Sequence, residues 1–169
     1  MLYETRHSNV YWIEEAFHED DVMYKWLKEW LAKTGIKTLI ADGEGGSRRS
    51  PKLVEWARRG LIDVLQPDIV WDGFVFWLKY AKMLEEYNIL AAPHNFGSTF
   101  GNYATCQIFP FIKTFTLAEW DEADIKGMDF SNYSYDNGYV VVGDKPGFGI
   151  DMDDELYEKT VAQSGWMAK

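Results

Sequence analysis

Apolar residues along this 169-residue chain gather into five short runs separated by longer amphipathic stretches. The runs cover residues 9–15, 37–42, 62–70, 89–94 and 115–120, and each reads as a strand. None alternates cleanly between polar and apolar positions, so the pattern predicts parallel strands covered on both faces. Between the first two, Val22, Met23, Trp26, Leu27, Trp30 and Leu31 recur at helical spacing over residues 20–33, with Gly35 as terminator. Ser50-Pro51 supplies a cap and first turn for a helix through Arg59, stopped by Gly60. A third helix is predicted over residues 73–87 and a fourth within 98–109. Strand–helix alternation of this kind builds βαβ units around a parallel sheet. Beyond Trp120 the character changes. Residues 133–143 alternate like an exposed hairpin around Asp136-Asn137-Gly138, and KPGFGIDMDDELYEKTV ends in a short acidic-capped helix.

Composition narrows the partners. A net charge of −10 disfavours a nucleic-acid backbone, whereas a small anion stays accessible if a bound metal inverts the local field. No stretch approaches the roughly 20 apolar residues of a membrane helix, and MLYETRHSNVYW lacks a signal-peptide core. The single cysteine, Cys106, excludes an internal disulfide and points to a reducing compartment, so a cytoplasmic location is expected. Its setting, ATCQIF, predicts a buried structural thiol.

Each predicted strand ends in an ionisable residue: Glu14, Glu44, Asp68, His94 and Glu119. Successive members lie about 24 to 30 residues apart, the length of one βα unit in an eight-stranded barrel. Side chains at the carboxyl ends of parallel strands converge on one mouth. Parity places Trp12 and Val10 inward with Glu14, and Gln66 and Val64 inward with Asp68. Glu14 and Glu44, on neighbouring strands, can share a hard divalent cation, and all-oxygen ligation suits magnesium. Asp68 and His94 are also neighbours, so the carboxylate can hold one imidazole nitrogen and leave the other to take a proton.

Each residue taken singly also has a structural use. Asp68 can cap the following turn, Glu119 can belong to a solvated acidic run with Asp121 and Glu122, and one of Glu14 and Glu15 can be a surface carboxylate. Asp42 competes with Glu44 as ligand, parity placing the two on one face, and Glu44 is preferred. His7 and His18 are read as surface residues, and Arg48 and Arg49 as solvent-facing loop charges.

These motifs resemble the mandelate racemase/muconate lactonizing enzyme family of the enolase superfamily. WIEEAFHED resembles the family's fourth-strand segment, whose first Glu binds metal; ADGE and LQPD resemble the fifth- and sixth-strand motifs. AAPHNF is similar to the seventh-strand segment carrying a base histidine, Glu119 matches the eighth-strand Glu, and KPGFGIDMD resembles the closing PGLGI segment. The resemblance covers nearly the whole chain. It implies an α/β fold: a partial (β/α)8 TIM-type barrel, strands four to eight, followed by a carboxyl-terminal hairpin and short helix.

It further implies a Mg2+ cofactor on Glu14 and Glu44, His94 as base oriented by Asp68, and a protonated Glu119 organising the substrate carboxylate; this chemistry is carried over from the family. The implied reaction is removal of the proton next to a carboxylate, most often to dehydrate a sugar acid. Racemisation or epimerisation of a 2-hydroxy acid, a catalytically silent remnant, and an unrelated phosphate-binding barrel using GEGGSRR are the alternatives.

Ala16 and WDGF depart from the family pattern, and the third-strand metal ligand, the second-strand base and the amino-terminal capping domain have no counterpart. Residues 1–127 are therefore expected to be a partial barrel domain, and 128–169 a segment that in the family packs back towards the cap. A piece of a longer protein is expected, self-associating or needing its missing half, with little or no turnover alone. An open sheet edge favours such association.

Overall fold

The computed structural model describes residues 1–44, 51–122 and 125–165. Four short parallel strands, β1 (Trp12–Glu14), β2 (Leu39–Asp42), β3 (Val64–Leu65) and β4 (Leu90–Ala91), lie side by side in chain order. They alternate with α1 (Asp21–Thr34), α2 (Pro51–Arg58), α3 (Ile69–Tyr87) and α4 (Thr99–Ile108). The arrangement is a partial (β/α)8 barrel. The expected fifth strand is reduced to one parallel bridge, Ala91 to Phe115, flanked by backbone hydrogen bonds through Thr114 and Thr116. The half-barrel curls enough for the Tyr11 hydroxyl to meet Thr116 Oγ1 at 2.7 Å.

Strand parity sorts the core into two layers. Ile13, Ile40, Leu65 and Ala91 face the helices, packing with Tyr24, Leu27, Leu31, Trp56, Trp77 and Leu84. Trp12, Leu39, Ala41, Val64, Leu90 and Ala92 form a second cluster on the concave face. Extending that parity carries Glu14, Gly43, Gln66, Asp68 and His94 to the concave side, one layer above.

Local signals explain the helix boundaries. Asp20 caps α1 through its carboxylate to the Val22 and Met23 amides, and Gly35 closes it in the left-handed conformation. The apolar stripe of α1 differs from expectation. Tyr24, Leu27 and Leu31 are buried, while Val22 and Trp26 face outward, because the Tyr24 hydroxyl reaches Asp42 and the Phe17 carbonyl and turns the helix that way. The expected Ser50 cap of α2 lies outside the described residues. The third helix begins four residues before the expected Gly73, since Asp68 caps it; Gly73 then kinks it with φ 73° and ψ 173°.

Beyond the barrel, β5 (Met128–Asp129) pairs antiparallel with β8 (Asp151–Met152), and β6 (Tyr133–Asp136) forms the predicted hairpin with β7 (Tyr139–Val142). Asn137 and Gly138 at its turn both have positive φ, as a two-residue hairpin loop requires. A terminal helix, α5 (Asp154–Ser164), follows, capped by Asp153. The hairpin region packs on α4, where Tyr103 stacks on Phe130 at 4.5 Å and meets Trp120 edge-on at 5.5 Å. Phe148 of the PGFG segment lies between Phe74 and Phe100. Among the described residues no helix is long and apolar enough to cross a membrane.

Cys106 sits in this α4 cluster, 5% exposed, as its apolar setting predicts. Burial pushes its thiol up from 9.0 to about 11. At pH 8 its thiolate fraction is then roughly a hundredfold below that of an unshifted thiol. Iodoacetamide at pH 8 should therefore label the native chain about a hundredfold more slowly than the unfolded chain. Equal rates in the two states would show that the α4 cluster is open.

Candidate active site

His94 and Asp68 come together because β3 and β4 continue as one more parallel bridge, Asp68 to His94. The Asp68 carboxylate does two things at once. Oδ1 accepts from the Val70 and Trp71 amides at 2.7 Å each, capping α3, and Oδ2 meets His94 Nδ1 at 2.9 Å. The capping use and the orienting use are thus both realised, one on each oxygen. Both residues are buried, at 4% and 8% exposure. The second imidazole nitrogen, Nε2, faces Glu44 Oε1 at 3.4 Å.

Glu14 stands exposed at the end of β1, its Oε2 accepting from the Gln66 amide nitrogen at 2.9 Å. Parity does not keep Asp42 and Glu44 together as expected. Asp42, still within β2, turns to the helix layer and accepts from the Tyr24 hydroxyl. Burial there raises its carboxyl above the ordinary value, the Tyr24 hydrogen bond partly offsetting this. The strand ends after Asp42, and Gly43 at φ 134° redirects the chain, so Glu44 reaches the His94 side instead. Gly43 cannot carry a side chain without shifting β3, since a Cβ would lie 2.8 Å from the Gln66 backbone nitrogen.

Glu119 follows the bridge at Phe115 with no strand to hold it, and polar side chains take over. The Asn95 amide donates to Glu119 Oε2 at 2.7 Å. Asn102, 1% exposed on α4, accepts from the Asp121 amide at 2.9 Å and from Asn95 Nδ2 at 2.7 Å, and donates to the Asp121 carbonyl at 2.6 Å. Gly101 leaves room for this clamp, because a Cβ there would sit 1.9 Å from Asn95 Oδ1. Burial raises the Glu119 carboxyl; the Asn95 amide and His94 lower it in part, while the charges of Glu14 and Glu44 add to the rise.

Three further polar residues belong to this mouth, Gln66, Asn95 and Asn102, and the residue pattern assigns them no role beyond the inward parity of Gln66. An Asn among the largely apolar residues of FGNYATCQIF is a signal of a polar clamp, but its partners lie on other elements. Arg48 and Arg49 fall outside the described residues. His18 and His7 are exposed and away from this cluster, as expected.

Whether the donor set suits a metal can be judged from its chemistry. Glu14 and Glu44 offer hard oxygen ligands, and among the described residues neither forms an ion pair with a Lys or Arg. Among the same residues no group of three or more His, Cys, Asp or Glu makes a complete cation site. Two carboxylates suit magnesium all the same, because that ion commonly takes one or two from the protein and keeps water for the rest.

Residues 1–156 match the family model described as enolase C-terminal domain-like. The chain is 28% identical over 157 residues to the D-gluconate/D-galactonate dehydratase of Picrophilus torridus, covering 90% of this chain and 39% of that protein. Its structure superposes with a TM-score of 0.92 on a mandelate racemase/muconate lactonizing protein from Geobacillus sp. Y412MC10 complexed with magnesium/tartrate, at 45% identity over 98% of this chain and 42% of the other. Galacturonate dehydratase from Geobacillus sp., complexed with D-galacturonate and 5-keto-4-deoxy-D-galacturonate, matches with a TM-score of 0.91 at 45% identity, covering 96% of this chain and 43% of the enzyme. The chain thus spans about two fifths of the length of these relatives.

Proposed function

This chain belongs to the enolase C-terminal domain-like family, and from that premise we propose that it carries the base-bearing half of a magnesium-dependent site that dehydrates a sugar acid. The observation that carries the reading is the Asp68–His94 pair, which leaves Nε2 facing the carboxylate mouth. Glu14 and Glu44 would hold magnesium, which when bound would supply positive charge beside the substrate carboxylate and the neighbouring C–H.

His94 takes the α-proton at Nε2. Asp68 keeps the other ring proton on Nδ1, so that Nε2 has a free lone pair. Glu119, its carboxyl raised by burial, donates a hydrogen bond to the substrate carboxylate. His94 then returns its proton to the departing β-hydroxyl, which leaves as water, so that a keto-deoxy acid results after tautomerisation. Residues 128–169 are the part that packs towards the capping region of the longer relatives. The second reading, racemase or epimerase, needs a second base on the opposite side of the substrate; among the described residues His94 alone of the histidines lies beside Asp68 and Glu44.

The isolated chain is expected to turn over slowly or not at all, because its relatives are more than twice as long. The test is a chimera in which this chain replaces the matching 43% of Geobacillus galacturonate dehydratase. Galacturonate, gluconate and galactonate are offered in D2O with magnesium, and NMR follows keto-deoxy product and α-deuterium. Magnesium-dependent product supports the dehydratase reading. Deuterium wash-in with inverted substrate and no product favours the epimerase. A folded chimera that does neither refutes the proposal.

A further inference from the structure

Gln66 is 2% exposed, one residue beyond β3 on the concave face. Its amide nitrogen reaches across the end of β2 to Glu14 on β1, at 2.9 Å. The span is open because the intervening positions of β2 are small: Ala41, paired with both Glu14 and Val64, and Gly43, packed on the Gln66 backbone. The amide oxygen of Gln66 is buried with no hydrogen-bond partner. A leucine or methionine of similar volume avoids that penalty, so packing alone does not explain an amide here.

The choice of a neutral donor is informative. Asp63, Asp21 and Asp151 are held by cations, Lys28, Arg59 and Lys145, whereas Glu14 and Glu119 at this mouth take neutral N–H donors. An Arg or Lys at position 66 grips Glu14 harder but repels any incoming cation. An amide aims the carboxylate and leaves its charge intact. Resting on the magnesium reading above, we infer that Gln66 is a positioning residue for the cation site, fixing one oxygen of Glu14 and leaving its own amide oxygen for an O–H donor that enters with the ion or substrate.

Mn2+ is the probe, free ion being read by EPR, with the full chain and its Gln66→Met, Glu14→Ala and doubly substituted forms. Gln66→Met should weaken Mn2+ binding by about 10–100-fold, as loss of a group that orients a metal ligand does. In the Glu14→Ala background it should cost nothing further, because its effect passes through Glu14. A purely structural role instead lowers the metal-free melting temperature and acts equally in both backgrounds. Binding within about threefold of the parent overturns the inference and leaves the metal reading standing. A parent chain that binds no Mn2+ overturns both. Should Gln66→Met fail to fold by near-UV circular dichroism, the unmodified chain decides: its Gln66 side-chain amide resonances should shift on magnesium titration, and unmoved resonances overturn the inference.

Discussion

His94→Asn should lower the dehydration rate of the chimera by about 10²–10⁴-fold, the usual contribution of a positioned general base. Asparagine keeps a polar group of similar reach but has no basic nitrogen at the position of Nε2. Asp68→Asn is the sharper test, because the two oxygens of Asp68 serve different partners. An asparagine oxygen can still accept from the Val70 and Trp71 amides, so α3 keeps its start. Its amide nitrogen then faces His94 Nδ1 and makes that nitrogen an acceptor, which moves the ring proton to Nε2 and removes the base. The expected result is a rate loss approaching that of His94→Asn, with an unchanged helical circular-dichroism spectrum. Activity of both variants within about tenfold of the parent chimera contradicts His94 as the base.

Trp77→Ala should cost about 3–5 kcal/mol of folding stability, the range for emptying a large aromatic site in a core. Trp77 is fully buried on α3, edge-on to Phe76 at 6.5 Å and to Tyr80 at 5.7 Å. It packs in the layer between sheet and helices that also holds Ile40, Leu65 and Leu84. Without it, α3 loses its purchase on the sheet, and Asp68, which caps that helix, loses the frame that presents it to His94. Domains of this size have only about 5–15 kcal/mol in hand, so the loss is a large part of the total. Urea denaturation followed by tryptophan fluorescence measures it, with Trp26→Ala on the half-exposed face of α1 as the comparison. A cost for Trp77→Ala no larger than that of Trp26→Ala means that α3 is not docked on the sheet.

The candidate site is legible in the sequence as far as it depends on strand ends. Glu14, Asp68, His94 and Glu119 are spaced by whole βα units, and the structure brings all four to one mouth together with Glu44. What lay beyond reach were contacts that depend on where a strand stops. Asp42 and Glu44 share a face only if one strand runs through both, and parity lapses where β2 ends at Asp42 and Gly43 turns the chain. The start of α3 likewise depends on tertiary contact: along the chain Asp68 suits either a cap or a partner for His94, and it is both only because each oxygen has its own neighbour.

By itself the sequence determined the parallel α/β order, the α1, α2 and α4 helices, the Asn137-Gly138 hairpin and the apolar setting of Cys106. These follow from periodicity, caps and turn residues, which act over a few neighbours along the chain. Tertiary structure alone decided that Asp42 turns to Tyr24 while Glu44 turns to His94, that Gln66 crosses β2 to Glu14, and that Asn102 clamps Asp121 where a fifth strand was expected. Each of those contacts joins residues distant in sequence, and its existence depends on register, curvature and the small residues Ala41, Gly43 and Gly101 that let the elements approach. No local preference encodes such distances, because they arise only when the sheet curls and the helices pack on it.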